Sequence, residues 1–178
     1  MVDSHYFFWL VPQSPDLEDF QGIINSLAKR FNTVPFSPHV TLYSGWVPSE
    51  VDLRSVLAEL AAMPALELDI LGLCHTDRFA QTLYVHLQQS PILSQLVRRL
   101  VKAIPKAQLP ALDPHVSLLY HSLDTATKQQ LIGTISLSRP TIRFNQVQAI
   151  AAPQNFETQA HVSSLRRVHS QFLTTRFY

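Results

Sequence analysis

Residues Ser37-Pro38-His39-Val40-Thr41-Leu42-Tyr43 read SPHVTLY, and Asp113-Pro114-His115-Val116-Ser117-Leu118-Leu119-Tyr120 read DPHVSLLY. One chain of 178 residues thus writes Pro-His-Val-(Thr/Ser)-Leu twice, 76 residues apart. In an extended strand, residues two apart share a face. His39, Thr41 and Tyr43 are therefore expected on one side, with Val40 and Leu42 toward a core. His115 and Ser117 are expected together in the same way, with Val116 and Leu118 behind them. Tyr120 should alternate away from His115 unless the strand bulges. Each strand offers one imidazole and one hydroxyl, roughly 7 Å apart along the strand. Such a polar face is out of place against a core and suits the wall of a cleft.

The flanks repeat as well. Ser14-Pro15 and Ser90-Pro91 each stand 25 residues, counted from the serine, before the motif histidine. Both read as helix starts, with serine as N-cap and proline at the first helical position. Apolar stripes follow at three- and four-residue steps: Leu17, Phe20, Ile24, Leu27 and Phe31 in one, Ile92, Leu93, Leu96, Val97, Leu100 and Ile104 in the other. An aromatic, β-branched strand over 5–11 precedes the first helix, and a strand over 79–87 precedes the second. A short helix capped near Ser49–Asp52, a half-buried strand from Leu66, a helix over 125–132 and strands over 141–151 and 162–172 complete the pattern. Two copies are too few for a solenoid. The expected fold is α+β: two pseudo-symmetric lobes, each an antiparallel sheet with helices, forming one bilobal domain over residues 1–178 with a cleft between the lobes.

Composition narrows the setting. An apolar fraction of 46% and a charged fraction of 15% describe a globular chain with a substantial core. The net charge of +1 leaves no strong footprint for duplex nucleic acid or an acidic membrane surface. The local clusters Arg98, Arg99, Lys102, Lys106 and Arg166, Arg167 read as solvated faces. Cys74 is the single cysteine, which excludes an internal disulfide. The apolar patch Tyr6–Val11 is too short for a signal peptide or a membrane span. A cytoplasmic monomer is expected.

Two imidazoles and two hydroxyls around one cavity fit displacement at phosphorus. A neutral histidine takes a proton from the attacking oxygen and an imidazolium gives one to the leaving oxygen. Imidazole exists in both states near neutral pH. Thr41 and Ser117 can donate to the non-bridging phosphate oxygens, where charge builds. The scheme needs no metal and no cofactor. His75 and His86 form no ligand spacing, and neither a phosphate-binding glycine loop nor a Gly-x-Ser-x-Gly elbow occurs. A lone His-x-(Ser/Thr) says little. His161-Val162-Ser163 is a third copy, without the flanking Pro and Leu, and reads as the start of an arginine-rich strand.

The paired motifs resemble those of the two-histidine (2H) phosphoesterases, above all their cyclic phosphodiesterase branch. Phe36-x-Pro38-His39, the Pro114–Tyr120 run and the aromatic first strand ending in Leu-Val-Pro carry the likeness. The resemblance implies catalytic roles for His39 and His115, with His115 as base and His39 as acid, and phosphate binding by Thr41 and Ser117. It further implies metal-free opening of a ribose cyclic phosphate: a 2′,3′-cyclic nucleotide or ADP-ribose 1″,2″-cyclic phosphate as small-molecule partner. Two alternatives stand beside it. One is an RNA-end enzyme of the same superfamily acting on 2′,3′-cyclic termini or 2′–5′ linkages. The other is a nucleotide-binding module without turnover. Tyr43, Tyr120 and Trp46 are the candidate base-stacking residues, with Phe36, Phe79 and Tyr84 nearby. His121 stands where the branch carries a small residue, and reads as a strand-end surface histidine.

Overall fold

The duplicated pattern in the sequence becomes a duplicated topology in the computed structural model, which describes residues 3–175. The first half runs β1 (Ser4–Pro12), α1 (Asp16–Phe31), β2 (Val40–Val47), α2 (Leu53–Ala58) and β3 (Leu66–His75). The second runs β4 (Leu83–Leu87), α3 (Pro91–Lys102), β5 (His115–Leu119), α4 (Thr125–Thr134) and β6 (Thr141–Ala151). Helix α5 (Gln159–Ser164) and strand β7 (Arg166–Phe172) follow.

All the strand pairings are antiparallel, and their order is β2-β1-β6-β3-β4-β5, with β7 also on β6. The order is palindromic in kind. Each half pairs its first two strands with each other and sends its third strand to the other half: β6 pairs with β1, and β3 with β4. The exchanged strands also meet, Leu66–Asp69 of β3 lying against Thr141–Phe144 of β6. The two lobes' sheets are therefore continuous. Strand β3 changes lobes at a bulge between Ile70 and Gly72, where Gly72 has φ of 152°, a conformation side chains resist. The motif strands β2 and β5 stand at opposite ends of this order, yet the curled sheet brings them into contact.

One buried cluster runs through both lobes, from Phe8, Leu10 and Leu42 to Val85, Val116 and Leu118. Phe20, Ile24 and Leu27 of α1 and Leu93, Leu96, Val97 and Leu100 of α3 are buried, as their spacing requires. Trp9, Val11 and Ile150 form a second, smaller cluster.

Four local expectations are corrected. Ser90 does cap α3, accepting from the Leu93 N–H at 3.1 Å. Ser14 does not cap α1: its hydroxyl donates to Glu18 Oε1 at 2.6 Å, and Pro15 holds the cap position. Asp52, not Ser49, caps α2, because its carboxylate reaches both the Arg54 N–H and the Ser55 hydroxyl. The strand over 79–87 begins only at Leu83. The Thr76 hydroxyl donates to the Gln81 carbonyl and that of Thr82 to the Phe79 carbonyl, drawing Phe79–Gln81 into a 3-10 turn. The strand over 162–172 begins at Arg166. Thr158 caps α5 through the His161 N–H, so His161-Val162-Ser163 lies on a helix, not a strand.

Lys128 is fully buried, and its ammonium binds the Asp77 carboxylate and the Thr76 carbonyl, tying α4 to the turn before β4. Replacing the charge with an apolar side chain of like volume is well tolerated at such sites, whereas removing the partner strands a buried cation. Asp77→Ala should therefore lower the thermal midpoint more than Lys128→Met does. The reverse order in paired melts would show that the ammonium is held by other means.

Candidate active site

Pro38 and Pro114 explain why the motif is Pro-His and not His alone. Proline fixes its own φ and offers no N–H. The chain then folds so that the histidine ring meets the carbonyl two residues back. His39 Nδ1–H donates to the Ser37 carbonyl at 2.7 Å, and His115 Nδ1–H donates to the Asp113 carbonyl at the same distance. A carbonyl only accepts, so each neutral ring carries its proton on Nδ1 and turns Nε2 outward. His39, Thr41, His115 and Ser117 together line one cavity of about 150 Å³. The structure brings the four motif side chains together as their faces predict.

The motif strands carry matching bulges. Thr41 pairs with Trp9 and Tyr43 with Phe8, leaving Leu42 as the extra residue. Ser117 pairs with Tyr84 and Leu119 with Leu83, leaving Leu118 as the extra residue. A bulge reverses the alternation beyond it. Tyr43 therefore leaves the face of His39 and packs against Phe8, with ring centroids 6.2 Å apart. Tyr120 arrives at the cavity, where its hydroxyl donates to His39 Nε2 at 3.3 Å. Trp46 is 49% exposed and packs edge-on to His5, outside this cavity. His121 is half-buried beside Phe31 and does not line it.

Phe7, Trp9, Ala80 and Phe156 complete the wall, and motif reading missed all four. Trp9 and Tyr84 are the cross-strand partners of Thr41 and Ser117, so they occupy equivalent places in the two lobes. Trp9 stacks flat on His39, 3.6 Å between centroids and 9° between planes. Tyr84 meets His115 edge-on at 5.3 Å. Phe36 stacks on Tyr120 at 3.7 Å, and Phe156 stands edge-on to Phe7 and Tyr120.

The two histidines differ in surroundings. His39 is 5% exposed. Loss of hydration pushes its pKa down to about 3, with the Ser37 carbonyl opposing and His115 adding slightly. His115 retains 24% side-chain exposure and has the Asp113 carboxylate 3.8 Å from Nδ1. That carboxylate also lies 3.5 Å from His86 Nε2 and accepts from Gln81 Nε2 at 3.1 Å. Burial raises the Tyr120 phenol well above its usual range, which keeps it a donor. The Ser117 hydroxyl donates to the Ala80 carbonyl at 2.8 Å, while the Thr41 hydroxyl has no hydrogen-bond partner among the described residues. No group of three or more His, Cys, Asp or Glu side chains is placed to hold a metal ion among the described residues. None of the helices described is long and apolar enough to cross a membrane.

Burial of a neutral His39 links stability to pH. The unfolded chain binds a proton near pH 6.5 that the folded one refuses until about pH 3. The contribution is therefore complete above pH 6.5 and is lost as pH falls toward 3. It amounts to about 2 kcal/mol by pH 5. Urea melts at pH 7 and pH 5 should show the wild type losing that much more than His39→Gln. Equal losses would show that His39 titrates normally.

Residues 9–151 match the family model of the 2′-5′ RNA ligase superfamily. No curated protein sequence matches significantly. Among solved structures, apo LigT from E. coli superposes with a TM-score of 0.61 at 17% identity, over 98% of this chain and 100% of that one. A crystal structure described as a phosphoesterase superposes at 0.57 and 18% identity, over 97% and 99%. The protein TT0787 of Thermus thermophilus superposes at 0.57 and 12%, over 97% and 100%. Identities this low speak for the fold, and the family match covers most of the chain. With both His-x-(Thr/Ser) motifs facing one cavity, the chain belongs to the 2′-5′ RNA ligase superfamily, the two-histidine phosphoesterases.

Proposed function

We propose that the protein opens a ribose cyclic phosphate, a 2′,3′-cyclic nucleotide or ADP-ribose 1″,2″-cyclic phosphate, to a phosphate monoester. The observation that carries the reading is the pair of imidazoles mounted identically on backbone carbonyls with both Nε2 atoms turned out and the rings lining one cavity. Support also comes from E. coli LigT, whose crystal structures include complexes with 3′-AMP, phosphate, ATP and NADP+.

In this reaction water gives a proton to one histidine as its oxygen bonds to phosphorus. A ring P–O bond breaks, and the freed ribose oxygen takes a proton from the other histidine. Thr41 donates to a non-bridging oxygen. Ser117 does so after its hydroxyl turns from the Ala80 carbonyl. His115, the more exposed of the two, has the better access to water and serves as base. His39 then serves as acid, although burial keeps it neutral in the ligand-free protein. The substrate supplies the missing charge. One phosphate charge at about 4 Å contributes ~4 kcal/mol at an effective dielectric of 20. That is about three pKa units, enough to bring His39 from about 3 into its working range. The acid's proton thus enters with the substrate.

Phosphorus NMR with 2′,3′-cyclic AMP and ADP-ribose 1″,2″-cyclic phosphate, in EDTA, should show conversion to a monoester. His39→Ala and His115→Ala should each lose about 10²–10⁴-fold in kcat, and Thr41→Ala less. Full activity in either histidine variant would sink the paired mechanism. Calorimetry of monoester binding in buffers of different ionisation enthalpy should show His39 taking up most of one proton at pH 5, an uptake that His39→Gln lacks. Binding without uptake would transfer the base role to His39.

The family match, to the 2′-5′ RNA ligase superfamily, favours a second reading, action on RNA ends by the same chemistry. A cyclic phosphate at an RNA terminus presents the same reacting atoms to the same four side chains.

A further inference from the structure

The Arg166–Arg167 pair reads from the sequence as a solvated face, and the register of β7 gives one of the two a different place. Strands β6 and β7 pair regularly from Gln146 opposite Phe172 to Ala149 opposite His169, then slip, so that Ile150 faces Arg167. In unbroken register Val168 would stand there. The bulge sends Val168 to pack against the main core and re-aims Arg167 to the other face. That face is the one bearing Phe7 and Trp9, because Phe7 pairs with Ile150 across β1 and β6, and Trp9 lies two residues along.

Arg167 thereby enters the wall of a cavity of about 440 Å³, with Trp9, Phe36, Ser37 and Gln148 among its neighbours. Trp9 also lines the cavity that holds the two histidines, and one face of its indole is stacked on His39. The two cavities are thus adjacent across a single side chain. Ser37, whose carbonyl holds His39, joins them a second time. Arg167 makes no ion pair among the described residues. The buried Trp9 Nε1–H has no acceptor among the described residues. A guanidinium without a counter-charge, above an aromatic floor and with Ser37 and Gln148 as further polar groups, suits an anion whose carrier is partly apolar.

We propose that this cavity is a second phosphate subsite, and that the substrate is a nucleotide with a further phosphate one nucleoside or ribose unit from the reacting one. The proposal rests on the reading of the reaction given above and narrows it: a lone cyclic mononucleotide leaves the subsite empty. Arg167 binds the second phosphate by its planar fork, and Trp9 and Phe36 flank the sugar or base between the two phosphates. Both a diphosphate-linked ribose cyclic phosphate and an RNA terminus carry this chemistry.

The test compares kcat/KM of the full chain and of Arg167→Gln for three substrates. These are 2′,3′-cyclic AMP, ADP-ribose 1″,2″-cyclic phosphate, and the dinucleotide ApA ending in a 2′,3′-cyclic phosphate. The wild type should prefer at least one of the two longer substrates over cyclic AMP by tenfold or more, and Arg167→Gln should remove most of that preference. The substrate that shows it identifies the source. For the dinucleotide, the slope of log kcat/KM against log salt should shrink by ~0.7 in the variant, the loss of one phosphate contact. Arg167→Lys should restore part of the preference, and equal thermal midpoints check that β7 stays in place. The same ratios in wild type and Arg167→Gln would overturn the subsite. Turnover of none of the three would instead overturn the reading of the reaction. Calorimetry with 3′-phosphorylated ApA and adenosine 3′-monophosphate then decides the subsite. A tenfold loss of affinity in Arg167→Gln confined to the dinucleotide upholds it, and no difference between the proteins overturns it.

Discussion

The exchange of third strands is the constraint on which the cleft depends. If β3 stayed with its own half, each lobe would close a private sheet and the motif strands would face nothing in common. Because β3 pairs with β4 and β6 with β1, neither half can complete its sheet without the other. The direct pairing of Leu66–Asp69 with Thr141–Phe144 then fixes the relative position of the lobes through backbone hydrogen bonds, which slip only in steps that would turn buried Leu66, Leu68, Ile142 and Phe144 outward. The rigid join carries β2 and β5 to each other at the far ends of the strand order. Precision at the histidines is inherited from the sheet, and the Tyr120 hydroxyl on His39 Nε2 adds one direct contact between the motifs.

Within that symmetric frame the two histidines are chemically unequal. The backbone treats them alike, with the same carbonyl two residues back and the same Nδ1 tautomer. The side chains do not. Ser37 and Asp113 hold equivalent positions, so a carboxylate stands beside one ring and a hydroxyl residue beside the other. Trp9 covers His39 face-on, whereas Tyr84 meets His115 by its edge and leaves it open to water. The repeated backbone frame thus holds two imidazoles alike while their neighbours make them unequal, and in the proposed reaction it is the substrate's charge that would complete the difference in protonation between them.

Much of this was legible in the sequence, down to the strand Thr141–Ala151 and the four motif side chains that meet. The motifs were readable because their spacing to Ser-Pro repeats and because alternation holds over the three residues from His39 to Thr41 and from His115 to Ser117. Legibility ended at the bulges. One extra residue, Leu42, moved Tyr43 to the core, and its counterpart Leu118 delivered Tyr120 to the cavity. A third, at Val168, decided which of two neighbours faces the cavity next to the histidines. Bulges arise from pairing with a partner strand, and no local pattern encodes that pairing. Trp9 was hidden for the same reason, since only the β1–β2 register sets it beside Thr41. Phe79–Gln81 and 161–164 were misread because threonine hydroxyls at Thr76, Thr82 and Thr158 bind backbone groups more strongly than β-propensity holds a strand.

The size of the reaction cavity sets a limit on what recognition it can perform. Pockets that enclose a whole ligand run to about 300–1,000 Å³, against about 150 Å³ here. The space between the histidines has room for a phosphate group and little more, and the lobe-symmetric motif side chains converge on that space. In the proposed reaction, recognition of the remainder would fall to groups without a counterpart in the other lobe: Phe156 from the segment after β6, Arg167 from β7, and Phe36 under Tyr120. Two of these belong to the α5–β7 extension, which lies outside the duplicated unit. The duplication places the four motif side chains, and under the proposed reaction the added strand would carry the means to choose among molecules that share the same cyclic phosphate.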